Sequence, residues 1–170
     1  MTRLYTRRAL WAYPGLDLTV RLAKPGDQPR IVEANLAMAA ETEGLSLDRA
    51  TLARGVEAVL RGEVPGRYYV AERAGEIVGQ LMVTFEWSDW RCAQVWWIQS
   101  VYVWPASRGG GVYRGLYEQI RRAAGAEGAA GLRLYVDTRN TRAQAVYAAL
   151  GMDGGHYRVF EQMFGAGASL

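Results

Sequence analysis

The segment from Val95 to Tyr113 constrains the chain more than any other. Its first nine residues, Val95-Trp96-Trp97-Ile98-Gln99-Ser100-Val101-Tyr102-Val103, are mostly β-branched or aromatic, interrupted by Gln99 and Ser100, and Pro105 stops the run as it would stop a central strand. From Val112 the apolar period switches to 3.6, with Val112, Leu116, Ile120 and Ala123 on one face of a helix expected to end near Gly125. Between strand and helix lies Arg108-Gly109-Gly110-Gly111. Such a turn exposes backbone N–H groups at the positive end of a helix dipole, and glycine lets the backbone take positive φ and approach a bulky anion. Phosphate or pyrophosphate is the natural ligand. The same glycines without context would read as a solvent loop, but the strand before and the amphipathic helix after argue against that.

Two common glycine-loop patterns are excluded. Arg114 stands where a dinucleotide fingerprint needs its third glycine, and Leu116 and Tyr117 follow Gly115 where a P-loop needs Lys and Ser or Thr.

The remaining chain supplies the frame. Leu18 to Leu22 alternates as a short strand, and Lys24-Pro25-Gly26-Asp27 gives a turn and a helix N-cap. Ile31, Ala34 and Met38 mark a helix ending near Glu43-Gly44, and Ser46 or Asp48 caps a second one closed by Gly62 and Pro65. Arg67 to Glu72 and Ile77 to Phe85 read as a hairpin turning at Ala74-Gly75-Glu76. Leu132 to Val136 is expected to be a strand, Arg142 to Leu150 a helix and His156 to Phe164 a last strand. The order β-α-α-β-β-β-α-β-α-β predicts a single-domain α/β fold, a mixed sheet flanked by helices. Residues 1–17 form an N-terminal extension, 18–165 the domain and 166–170 a tail.

Composition narrows the function classes. Among the 170 residues 50% are hydrophobic and 22% charged, an ordinary globular balance. The formal charge of +3 is spread among interleaved Arg and acidic residues, so no basic patch points to nucleic acid. One cysteine, Cys92, and one histidine, His156, cannot make an internal disulfide or a dedicated structural zinc site, so no metal is expected. No apolar run is long enough for a signal peptide or a membrane span. A cytoplasmic protein without membrane contact is expected.

Two blocks together resemble the GNAT superfamily of N-acetyltransferases. The first is the turn, similar to the family's Arg/Gln-x-x-Gly-x-Gly/Ala at Arg108 and Gly111, with Tyr113 where Gly or Ala is usual. The second, Asn140 to Met152, resembles Asn-x-x-Ala-x-x-x-Tyr-x-x-x-Gly-Phe at Asn140, Ala143, Tyr147 and Gly151, with Met152 for Phe. The resemblance is strongest from about Trp96 to Met152.

It implies a cytoplasmic enzyme that moves an acetyl group from acetyl-coenzyme A to an amine, on a small molecule or a protein, by direct transfer in a ternary complex. The N–H groups of Gly109, Gly110, Gly111, Val112, Tyr113 and Arg114, with Arg108, would cradle the pyrophosphate. The backbone of Val101, Tyr102 and Val103 would pair with the pantetheine arm and polarise the carbonyl, and Asn140 would cap its helix or bind a ligand amide. Tyr147 would protonate the leaving sulfur; read alone it is a core aromatic. Glu86 and Gln99 are the candidates for handling the amine proton, Gln99 through a held water. Glu86 and Asp89 also read as solvated loop charges, and Glu41 and Glu43 as a solvated helix end. A homodimer is compatible with this reading. The alternative is a non-catalytic acyl-coenzyme A-binding sensor or assembly module.

Overall fold

The structure, a computed structural model, describes residues 11–12, 17–162 and 164. They belong to two compact units, one ending at Arg133 and the other beginning at Leu134. In the first unit the order is β1 (Trp11–Ala12), β2 (Thr19–Leu22), α1 (Gln28–Glu43), α2 (Arg49–Leu60), β3 (Arg67–Arg73), β4 (Glu76–Ser88), β5 (Ala93–Val103), α3 (Val112–Ala126) and β6 (Gly131–Arg133). The strands lie in sequence order in one mixed sheet, antiparallel throughout except for the parallel pair β5–β6. The second unit contains α4 (Thr141–Ala149). The α/β class holds, and the element order holds through α4. Among the described residues no helix is long and apolar enough to cross a membrane.

Local chemistry sets the boundaries. Ala74 and Gly75 both have positive φ, 50° and 83°, the signature of a type I′ turn whose twist matches the β3–β4 hairpin. Of the two candidate caps for α2, Asp48 serves: its carboxylate accepts from the Thr51 amide at 2.8 Å. Gly44 ends α1 in the left-handed conformation at φ 68°. Asp27 precedes α1, but its carboxylate does not cap that helix. It accepts from the Lys24 amide and pairs with Arg21 at 2.7 Å, while Arg21 also pairs with Glu72. That buried guanidinium ties β2, the turn before α1 and β3 together.

Side chains alternate across β4, so each face meets different helices. On one face Ile31, Val32, Val56 and Val59 of α1 and α2 form a core with Tyr68 and Val70 of β3, and Met82 packs against it. On the other face lies α3, whose Val112, Leu116 and Ile120 are buried as the 3.6 period predicts. Gly79 permits this approach: a Cβ there would stand 2.7 Å from Val112 Cγ1 and 3.2 Å from the Tyr102 carbonyl oxygen.

Two expected strands differ. The one placed at Leu132 to Val136 is β6, Gly131–Arg133, and residues 134–137 are irregular. Where a closing strand was expected, at His156 to Phe164, the described residues 156–162 and 164 carry no regular structure, and Phe160 and Phe164 are exposed. Apolar and aromatic content marks a segment able to pair, but a strand exists only where a ladder receives its backbone groups. Trp11 and Ala12, within the expected N-terminal extension, form β1 against Val20 and Thr19.

The Gly79 contact yields a test. Gly79→Ala should lower stability by about 1–3 kcal/mol through overpacking against Val112, measured by urea unfolding. Pairing it with Val112→Ala should recover part of the loss; additive losses would mean that Val112 is not the obstacle.

Candidate functional site

β5 leads directly into the glycine turn. After Val103 the chain passes Trp104 and a 3-10 turn at Pro105–Ser107, then Arg108 in extended conformation, and enters α3 through Gly109 at φ 78° and Gly111 at φ 74°. Gly111 is the N-cap of α3 and no side chain caps this end. The first-turn N–H groups of α3 therefore have no side-chain acceptor at this cap.

Two arginines flank the turn. The Arg108 guanidinium folds back, with Nε donating to the Val103 carbonyl at 2.9 Å and Nη2 to Glu41 at 2.6 Å. Arg73, at the end of β3, donates from Nη2 to the Gly110 carbonyl at 3.1 Å. A Cβ on Gly110 would stand 3.2 Å from that guanidinium, so the glycine makes room for a cation beside the turn. Arg73 carries no motif, and nothing in its sequence context marked it. Arg114 is exposed, and the Tyr113 ring lies 6.3 Å from that of Tyr117.

Glu41 departs from the solvated helix end that the sequence suggested. It accepts from the Tyr102 hydroxyl at 2.7 Å as well as from Arg108, which joins α1, β5 and the turn. The bond from Tyr102, and then that from Arg108, holds its carboxyl below the ordinary glutamate value.

Within β5 the register against β4 slips by one residue: Gln80 faces Tyr102, whereas Met82 faces Gln99. Ser100 and Val101 thus stand opposite Leu81 as a β-bulge, with Ser100 at φ 45°. Gln99 lies on the α1–α2 face of the sheet, donating to Thr84 Oγ1 at 3.3 Å. Glu86 shares that face. Its carboxylate accepts from Trp97 Nε1 and from Arg133 Nη1, both at 2.6 Å, so it is a paired carboxylate rather than a solvated loop charge. The structure brings Glu86, Gln99, Tyr102 and Glu41 onto one face, and the turn to the end of the same strand.

In the second unit Asn140 caps α4, its side-chain oxygen accepting from the Ala143 amide at 3.0 Å. Gln144 secures the preceding turn through the carbonyls of Asp137 and Thr138. Tyr147 lies on α4, half-buried, and burial pushes its phenol pKa up. Among the described residues no group of three or more His, Cys, Asp or Glu is placed to hold a metal ion.

Comparisons with known proteins identify the family and the fold. A profile of the acetyltransferase (GNAT) family matches residues 35–152. The chain is similar to a crystal structure of a possible acetyltransferase from Clostridium difficile 630, at 38% identity and TM-score 0.80 over 86% of this chain and 97% of that one. Two further structures share the fold at lower identity. One, a ribosomal-protein-alanine N-acetyltransferase from Brucella melitensis biovar Abortus 2308, has 16% identity and TM-score 0.70 over 87% and 99% of the chains. The other, a predicted acetyltransferase with acetyl-CoA from Clostridium acetobutylicum, has 18% identity and TM-score 0.68 over 85% and 96%. No match is found among curated proteins.

The Glu41 pairing makes stability pH-dependent with a definite sign. A depressed carboxylate contributes fully above its unfolded value, near 4.5, and loses that contribution as pH falls through the lower folded value. Glu41→Gln should therefore melt below the parent at pH 7 and converge with it toward pH 3. A difference constant across that range would show that the carboxylate charge is not what stabilises the join.

Proposed function

Because this chain belongs to the acetyltransferase (GNAT) family, we propose that it transfers an acetyl group from acetyl-coenzyme A to an amine, directly and within a ternary complex. The observation that carries this reading is the end of β5, where a bulged strand runs into a turn with Gly109 and Gly111 at positive φ, an uncapped helix N-terminus and the Arg73 guanidinium alongside. A bulky doubly charged anion suits such a turn, because backbone N–H groups, the helix dipole and a cation act on it together. A neighbour of similar fold was solved with acetyl-CoA, consistent with that ligand.

When bound, the coenzyme supplies a thioester, which needs little activation. The protein's task is to orient the amine, stabilise charge on the carbonyl oxygen and manage two protons. Val101 to Val103 offer their backbone to the pantetheine arm. Gly109 to Arg114 hold the pyrophosphate through N–H groups, with Arg108 bracing the turn through Val103 and Glu41. Glu86, or a water held by Gln99, takes the proton from the amine. Tyr147, by its motif position, gives a proton to sulfur as the carbon–sulfur bond breaks; burial pushes its phenol pKa further up. Asn140 caps the start of α4, where it can also meet a ligand amide. The acyltransferase domain spans residues 18–165, and a cytoplasmic location suits its substrate.

Three measurements test this reading. Acetyl-coenzyme A should raise the melting temperature, a ligand at a hundredfold excess over its dissociation constant adding about 2.7 kcal/mol; no shift at millimolar coenzyme defeats the proposal. Gly111→Val, which places a branched residue at φ 74° in the turn, should remove most of that shift while circular dichroism still reports a folded chain. Tyr147→Phe should keep stability and coenzyme affinity but lower turnover on an accepted amine by about 10²-fold. Loss of stability with turnover per folded molecule intact would make Tyr147 a packing residue, and binding without turnover on any amine would favour the sensor reading.

A further inference from the structure

We propose that Gln80 is a positioning residue for acyl transfer: by holding the Ser100 carbonyl it aims the Val101 N–H at the thioester carbonyl oxygen. The proposal rests on the reading of β5 as the strand that receives the acyl-coenzyme A arm.

The bulge creates the need. Ser100 and Val101 together face Leu81, so an ordinary ladder cannot serve the backbone groups of both, and Ser100 adopts a φ of 45° that residues with a side chain rarely take. Gln80 answers from the neighbouring strand. Its Nε2 donates to the Ser100 carbonyl oxygen at 2.6 Å and to Asn35 Oδ1 at 2.9 Å, and Asn35 Nδ2 continues the chain to the Tyr68 hydroxyl at 3.3 Å. Both amide hydrogens of Gln80 are thus engaged. The opposite amide orientation would press Oε1 against two acceptors, so the Ser100 carbonyl fixes which way the side chain lies.

Gln80 is 1% exposed, and its Oε1 has no hydrogen-bond partner among the described residues. An apolar side chain of similar length would fill the site without burying an unsatisfied acceptor. Retaining the amide is understandable if its donors are what the site requires.

The consequence for β5 follows from peptide geometry. The Ser100 C=O and the Val101 N–H belong to one peptide unit, no cis peptide bond occurs among the described residues, and in a trans unit the two groups point in opposite directions. Fixing the carbonyl on Gln80 fixes the Val101 N–H on the far side. The parallel ladder to β6 covers only Val95 to Trp97, so Val101 lies beyond the stretch of β5 that β6 pairs with. An amide dipole oriented in advance stabilises developing negative charge without reorganising during the reaction.

The test uses the full chain with coenzyme A and acetyl-coenzyme A as separate probes. Gln80→Met keeps length and burial but cannot donate. It should bind coenzyme A within about twofold of the parent, lose the parent's preference for acetyl-coenzyme A over coenzyme A, and show kcat on an accepted amine reduced about ten- to a hundredfold, a somewhat smaller effect than deleting an oxyanion donor. Tyr68→Phe, which shortens the same hydrogen-bond chain at its far end, should lower the melting temperature with kcat per folded molecule retained. In the unsubstituted protein the Val101 amide resonance should move further with acetyl-coenzyme A than with coenzyme A, a reading independent of whether any variant folds. Gln80→Met with the parent's kcat and acetyl preference, or a Val101 amide indifferent to the acetyl group, overturns the proposal. Failure of the parent to bind either probe would instead remove the underlying reading of β5, and this proposal with it.

Discussion

The β4–β5 ladder is the constraint on which the first unit depends. Side chains on a strand change face every residue, so a slip of one exchanges the faces of everything beyond it. The bulge opposite Leu81 makes that exchange once. Before it, Trp97 and Gln99 lie on the α1–α2 face; after it, Tyr102 lies on that same face and reaches Glu41 on α1. In an unbroken ladder Tyr102 would fall on the α3 side, together with Trp96 and Ile98. The bulge therefore gathers onto one surface polar groups that strict alternation would have divided.

Charge at the site is largely neutralised in pairs. Glu41 meets Arg108, and Glu86 meets Arg133. These bridges are partly exposed and contribute little stability singly, but each fixes a side chain belonging to a different element. Arg73 is placed differently, because it donates to the Gly110 carbonyl, a neutral acceptor that leaves its full charge beside the glycine turn. The positive charge left beside the turn is thus that of Arg73 and the α3 terminus more than that of Arg108, the arginine of the motif, which is paired with Glu41.

The sequence carried the fold where the signal was local. The period switch at Val112, the type I′ hairpin at Ala74-Gly75, the Asp48 cap and the Asn140 cap are each properties of a few adjacent residues. What it did not carry was pairing across distance. Glu41 read as a solvated charge because Tyr102 and Arg108 lie 61 and 67 residues away. Arg73 is unremarkable until the β3 end is seen against Gly110. A signal for Gln80 was present in principle, since a lone amide within the apolar run Ile77 to Val83 must find partners when buried. The closing strand expected at His156 to Phe164 is not seen in the described residues of that segment, for the converse reason: composition describes one segment, whereas a ladder needs two.

Gly79 links the sheet to the turn in a way that bears on motion. With no side chain on β4 at that point, Val112 at the first turn of α3 rests against the strand backbone, and Arg73 and Arg108 tether the preceding residues to β3 and to α1 and β5. Glycine-rich loops usually fluctuate on nanosecond to microsecond timescales as independent segments. Here the glycines supply unusual dihedral angles without supplying freedom, and the segment is bound to move with the sheet. Amide order parameters through Gly109 to Val112 should then resemble those of β5 rather than those of a surface loop, and little configurational entropy is left for a ligand to remove.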